Sequence, residues 1–424
     1  MLNRFELVWA LLLLLVTPAY AADAPGVTKT EIKIGATFPF SGPASALGVV
    51  GKGILAYVQS INDRGGINGR KVDYIALDDA YSPPKTVEDV RRLVERDGVA
   101  FLFGQLGTPG ISATAQYLTS RGVPGIAMMT GSKKFINVKE FPLTTTSFSF
   151  DTEGKIYAKY LTSALPNAKY AILYQNDDLG KDYVNAFRSF LKSDFEKKVV
   201  TAAYEITDPT ADSQIISLRS SGAGALFVAG TPKFAAQAIR KVAEIGWKPT
   251  LIVDFPSGSV ATLKPAGLDK STGVIVGTFY KDTTDSTWDN DDGMKAYRAF
   301  FAQYLPGSDI SEAGYLLGYS QGVVLEQILK QCGDDLSREN IVKQAKSLNN
   351  FKVPVALPGI TVNTSATVNQ NWTQMRLQRW DGSKWQQFGG VLNANSEYLT
   401  FDAGARPARA GHSATSQRQT EPEE

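Results

Sequence analysis

Histidine and cysteine are almost missing from this chain: 424 residues contain one of each, His412 and Cys332. That scarcity excludes histidine-dependent nucleophile triads, histidine-based zinc sites and any intrachain disulfide. An excess of charge of either sign is also lacking, since 44 Lys and Arg face 42 Asp and Glu for a net charge of +2. Without clustered, uncompensated cations there is no electrostatic footprint for a nucleic-acid partner. Apolar runs of spanning length are absent as well. The longest, Leu7 to Val16, stops well short of the ~20 residues a membrane-crossing helix needs. What remains is ordinary globular material, 43% hydrophobic and 20% charged, long enough for two or three domains.

The apolar run follows Arg4 and leads into Ala19-Tyr20-Ala21, a small-x-small cleavage pattern, so residues 1–22 read as a cleaved secretory signal. No cysteine follows it to carry a lipid. The mature chain is therefore expected free in an exported compartment, not inserted in a membrane. At the other end, residues 402–424 hold almost no bulky apolar side chain and are expected to be disordered.

Between these ends, short β-branched runs alternate with amphipathic stretches. Ile32–Phe38, Val72–Leu77, Val99–Phe103 and Val123–Met128 read as strands, and Val49–Arg64, Pro84–Asp97 and Gly110–Arg121 as the helices between them. Such alternation implies a parallel sheet covered on both faces. The pattern restarts with strands at Tyr170–Tyr174, Val199–Ile206, Ala225–Ala229 and Leu251–Phe255, separated by helices at Gly180–Phe195, Ser213–Ser221 and Pro232–Ile245. The fold class is thus α/β, with two doubly wound Rossmann-like lobes. Later pieces are less regular: a strand at Gly273–Tyr280, helices at Met294–Tyr304 and Gly314–Gln331, and an extended end at Val391–Phe401. Thr144–Asp151, Thr278–Asp285 and Lys352–Gly359 are the candidate crossings. They divide the chain into residues 29–145 plus 279–352 for one lobe and 146–278 plus 353–401 for the other.

Enzyme motifs fail on inspection. Gly48-Val-Val-Gly51-Lys52-Gly53 lacks both the first glycine and the final Ser or Thr of a phosphate loop, and Gly104-Gln-Leu-Gly107-Thr-Pro-Gly110 lacks dinucleotide spacing. Asp78-Asp79 and Asp177-Asp178 read as turns and caps rather than acid–base pairs, because neighbours on a strand point to opposite faces. Three strand-to-helix corners do suggest chemistry: Phe40-Ser41-Gly42-Pro43, Leu106-Gly107-Thr108-Pro109-Gly110 and Met129-Thr130-Gly131-Ser132. Each offers a hydroxyl and backbone donors at the carboxyl end of a strand, where doubly wound sheets hold ligands. A helix N-terminus with free N–H groups favours an anion such as a carboxylate. Thr108-Pro109 also fits a plain helix start, with Thr as N-cap and Pro as the first helical residue. Asn62 to Arg70 lies at the opposite end of the sheet and reads as a folding turn. Cys332, before Gly333, reads as a small, partly buried residue that ends a helix.

The segments Ile32–Pro43, Ile61–Lys71, Asp78-Asp79, Phe103-Gly104, Tyr174–Lys181 and Ala243–Gly246 together resemble the Leu/Ile/Val-binding family of periplasmic solute-binding proteins. The resemblance implies a type I periplasmic binding fold, with two lobes joined by three hinge crossovers that close over a ligand. It implies an ATP-driven (ABC) importer whose membrane permease is the partner. The ligand would be a small carboxylate, released unaltered; separately, the protein is expected to be a monomer that needs no cofactor or metal. Carried over residue by residue, the carboxylate-binding positions fall on Gly107, Thr108 and Met129, Thr130 and Gly131, and further cleft positions on Leu47, Leu179, Thr231 and Phe255. Ser41 joins them from the first corner. The sequence departs from the amino-acid binders of that family at Leu47 and Leu179, where aromatic residues are common, and near Phe255, where an acidic residue pairs with the ligand's ammonium. A buried ammonium without a counter-charge is costly, so amino-less aromatic or oxo acids stand beside branched-chain and other hydrophobic amino acids as candidate ligands. Asp254, next to Phe255, is the alternative counter-charge. A ligand sensor that presents its closed form to a chemoreceptor or sensor kinase is the alternative role, and an exported α/β enzyme is disfavoured by the missing nucleophile–histidine pair.

Overall fold

The computed structural model describes residues 24–393. The signal sequence read at 1–22, the tail at 402–424 and most of the extended piece at 391–401 lie outside these residues. The first lobe runs β1 (Glu31–Phe38), α1 (Val49–Asp63), β2 (Lys71–Asp78), α2 (Pro83–Glu95), β3 (Phe101–Phe103), α3 (Thr108–Ser120), β4 (Gly125–Met128) and β5 (Thr144–Thr146). Its strands are all parallel, in the order β2-β1-β3-β4-β5. Helices cover both faces, which is why Phe101, Leu102 and Phe103 are all fully buried instead of alternating. The turn after α1 is folding chemistry, as its composition implies: the Asn62 side chain accepts from Val72 N and donates to Val72 O, both at 2.8 Å.

The second lobe repeats the plan with α4 (Phe150–Ala164), β6 (Tyr170–Gln175), α5 (Asp178–Leu191), α6 (Phe195–Lys198), β7 (Val199–Tyr204), α7 (Asp212–Ser220), β8 (Ala225–Ala229), α8 (Pro232–Glu244), β9 (Thr250–Val253), α9 (Val260–Ala266) and β10 (Ile275–Thr278). The chain then supplies α10 (Asp292–Tyr304), α11 (Ala313–Cys332) and α12 (Arg338–Ala345) to the first lobe, and closes with β11 (Gln374–Trp380) and β12 (Trp385–Asn393). The second sheet reads β12-β11-β10-β9-β8-β6-β7, with β11 and β12 added antiparallel at one edge. Its parallel part has the same 2-1-3-4-5 order as the first sheet, so each lobe has a switch point, at β1/β3 and at β6/β8, where a ligand crevice opens. Helix α11 crosses α1 closely enough that a Cβ on Gly318 would lie 2.4 Å from the Val50 carbonyl oxygen. Cys332 ends α11 as a buried thiol.

Two features differ from the sequence reading. The first crossing, at Thr144–Asp151, runs directly into helix α4, whose N-cap Ser149 accepts from Thr152 N at 3.2 Å. The segment Lys352–Gly359 does not cross between lobes. It lies beside the second crossing, with Lys281 N donating to Val355 O at 3.0 Å and Leu357 N to Phe279 O at 2.9 Å. The chain stays with the first lobe through Asn369, whose Nδ2 donates to Phe135 O and Phe141 O. It crosses near Trp372, which stacks on Phe279 at 5.0 Å between ring centroids. Residues 353–371 therefore pack with the first lobe rather than the second. Their backbone pairs with partners distant in sequence and carries neither a helical nor a strand period, so composition alone does not place them.

Candidate functional site

The carboxyl ends of both parallel sheets face a cleft of roughly 1300 Å³, counting the part open to solvent. Leu47, Gly107, Thr108 and Met129 line it from the first lobe, and Leu179, Thr231 and Phe255 from the second. Seven of the sequence-derived positions are thus brought together across one space. Ser41, Thr130 and Gly131 are not among the lining residues.

The first-lobe wall is built at the end of β3. Gly107 has φ +122, a conformation L side chains rarely adopt, and a Cβ there would meet the Tyr81 ring at 3.2 Å. Helix α3 begins at Thr108 itself, so Thr108 is the first helical residue and not the N-cap. Its hydroxyl is consequently free of capping and shares a 2.9 Å hydrogen bond with Thr130 Oγ1. The first-turn N–H groups of a helix lack intrahelical partners, so this wall couples a hydroxyl with backbone donors and the positive end of a dipole. Thr130 stands behind Thr108, and its Oγ1 also accepts from Ser132 N at 3.2 Å. Gly131 is packed against Phe150, whose N–H donates to Gly131 O at 2.9 Å. Ser41 is exposed and committed to Asp78: its Oγ donates to Oδ2 at 2.6 Å and its N–H to Oδ1 at 3.1 Å.

The second-lobe wall is made of strand ends. Thr231 precedes α8; its N–H donates to Tyr204 OH at 3.1 Å, and its buried Oγ1 has no protein partner. Leu179 sits in the first turn of α5, where Asp177 Oδ1 accepts from its N–H at 2.9 Å. Phe255 stacks on Phe279 at 4.3 Å and meets Phe148 edge-on at 5.2 Å. Asp254 is fully buried and does not line the cleft. Its Oδ2 accepts from Gly230 N at 2.9 Å, and Ser257 lies beside the carboxyl and partly offsets the effect of its burial. Beneath this wall, Glu153 accepts from Tyr157 OH and Phe255 N at 2.7 Å each and from Tyr183 OH at 2.6 Å. Burial pushes the Glu153 carboxyl up to about 7, against the lowering effect of those donors. Burial, then the Glu153 charge, hold Asp254 well above the usual carboxylate range.

Sequence reasoning missed Tyr81, Phe148, Phe150 and Tyr280, which also line the cleft. Ala80 and Tyr81 both have positive φ, at 52° and 60°, and this places the Tyr81 ring against Gly107. Consecutive left-handed residues without glycine leave no signal in the sequence, but such strain does cluster at ligand sites. Phe148 and Phe150 were readable only as part of a crossing.

Two doubly wound lobes around a shared cleft, linked by three crossings, define the type I periplasmic binding protein fold. Residues 31–384 match the family model described as periplasmic binding protein, and the chain belongs to that family. "Leu/Ile/Val-binding protein homolog 7" of Brucella abortus (strain 2308) is 25% identical over 389 residues, spanning 88% of this chain and 94% of that protein. A branched-chain amino acid ABC transporter structure from Thermus thermophilus with bound valine is similar at TM-score 0.77 and 14% identity, over 87% of this chain and 97% of that one. A fatty acid ABC transporter substrate-binding protein from Thermomonospora curvata is similar at TM-score 0.72 and 19% identity, over 89% and 96%. Among the described residues, no helix is long and apolar enough to cross a membrane.

Proposed function

We propose that this chain is the ligand-capturing component of an ABC importer, and that its ligand is a small, largely apolar carboxylate without an α-ammonium. The observation that carries the reading is the contrast between the two walls. Thr108 and the start of α3 offer a hydroxyl and amide donors to an anion, whereas the facing wall presents Phe255, Leu179 and an unpaired Thr231 hydroxyl, with Asp254 directed at Gly230 N. An ammonium placed against Phe255, Leu179 and Thr231 would lose water without gaining a counter-charge from those three residues. The Thermomonospora curvata neighbour, described as a fatty acid ABC transporter substrate-binding protein, supports this reading.

A second reading, a hydrophobic amino acid, has its own support in the valine-bound neighbour and in two carboxylates that border the cleft, Asp282 at the second crossing and Glu312 at the start of α11. Asp282 Oδ1 is held by Thr284 N and Oγ1 at 2.9 Å each, while its Oδ2 is buried without a partner. A thermal-shift screen separates the two. A ligand at 100 times its Kd stabilises by about 2.7 kcal/mol. Phenylacetate, benzoate and 4-methyl-2-oxopentanoate make one arm, and leucine, isoleucine and valine the other. Stabilisation confined to the first arm supports the proposal, and stabilisation confined to the second replaces it with the amino-acid reading.

A further inference from the structure

The second lobe grips the first through one face of α5. Asp182 Oδ2 accepts from both Ser132 Oγ and Lys133 N at 2.8 Å, and Asp178 Oδ2 accepts from Ser112 Oγ at 2.9 Å. The two aspartates are four residues apart and so share a helix face. Neither is needed to start the helix, because Asp177 already caps it by accepting from Leu179 N and Gly180 N. Neither lines the cleft, although Leu179 between them does. Their partners are also specific: Ser112 lies on α3, the helix that begins at Thr108, and Ser132 and Lys133 follow Thr130 and Gly131. The carboxylates therefore hold the two first-lobe segments that carry the Thr108–Thr130 pair.

We propose that Asp178 and Asp182 form a latch that holds the lobes closed over the cleft and sets ligand affinity without touching the ligand. The proposal rests on the ligand-capture reading for its purpose but not for its test. The apparent Kd of a closing protein equals the intrinsic value divided by the closed fraction, so weakening the latch raises Kd in proportion.

The decisive experiment uses the ligand-free full chain. Leu55→Cys on α1 and Ile216→Cys on α7 place spin labels on exposed positions, one in each lobe. Cys332 stays unlabelled because burial pushes its thiol up to about 12. Pulsed dipolar spectroscopy then compares this background with Asp178→Ala/Asp182→Ala. The expected result is a closed population in the parent that the variant loses, with an unchanged unfolding midpoint. Ser112→Ala/Ser132→Ala removes the donors from the opposite lobe and is expected to give the same shift, which keeps the test open should the aspartate variant fold poorly. Distance distributions identical to the parent in both variants would overturn the latch. Titration with phenylacetate and 4-methyl-2-oxopentanoate adds a second readout, an expected rise in Kd of about tenfold carried by faster dissociation. A failure of both probes to bind would count against the ligand reading, while the ligand-free distances would still decide the latch.

Discussion

Thr108 Oγ1 and Thr130 Oγ1 lie 2.9 Å apart, both buried, at the ends of neighbouring strands. Only Thr108 reaches the cleft, with Thr130 positioned behind it. Removing a partner from a buried charged group costs about 1–3 kcal/mol. Thr108→Ala is therefore expected to weaken carboxylate binding by that amount in calorimetric titration, and Thr130→Ala by less, because it acts only through the orientation of Thr108.

Ser41 provides the matched control. Its hydroxyl and N–H both go to Asp78 on the exposed side of the first corner. Ser41→Ala is expected to leave ligand affinity unchanged and to cost less than about 1 kcal/mol of stability, as for a single exposed hydrogen bond. A measurable loss of affinity would bring the first corner into the site.

Thr231 separates stability from binding. Its Oγ1 is buried with no well-formed hydrogen bond to the protein, and an unpaired buried hydroxyl is unfavourable. Replacing it with the near-isosteric Val removes an unsatisfied group. Thr231→Val is expected to hold or raise the unfolding midpoint of the free protein while reducing ligand affinity. A lowered midpoint would show that the hydroxyl is already satisfied in the ligand-free protein.

The strand-end positions were legible because doubly wound folds put loops and helix starts at one end of each sheet, so motif order along the chain maps onto one space. Gly107, Thr108 and Met129 followed from that rule, whereas Leu47, Leu179, Thr231 and Phe255 came from the family resemblance. The hydroxyl corners at Ser41 and Thr130 looked equivalent to Thr108 in sequence, yet one is captured by Asp78 and the other stands a layer deeper, and only side-chain geometry distinguishes them. Tyr81 depends on two left-handed residues, and the third crossing on long-range backbone pairs. Neither produces a periodic pattern.

Glu153 makes stability depend on pH with an unusual sign. Its carboxyl rises from 4.5 to about 7 on folding, so between those values the folded protein keeps a proton that the unfolded chain has released. The stabilisation is complete below about 4.5 and is lost as pH rises through about 7, a change on the order of 3 kcal/mol. Asp254, raised well above its usual range by burial and then by the Glu153 charge, acts in the same direction. Unfolding midpoints measured from pH 5 to pH 8 are expected to fall, and Glu153→Gln to flatten the slope. A midpoint that rises across this interval in the parent would contradict the assignment.

The most direct test of the account is a crystal structure with an acid that stabilises the protein. A ligand carboxylate oxygen is expected at hydrogen-bond distance, about 3 Å, from Thr108 Oγ1, with the apolar body of the ligand against Phe255 and Leu179. A ligand carboxylate held elsewhere, or a ligand ammonium paired with Asp254, Asp282 or Glu312, would contradict it.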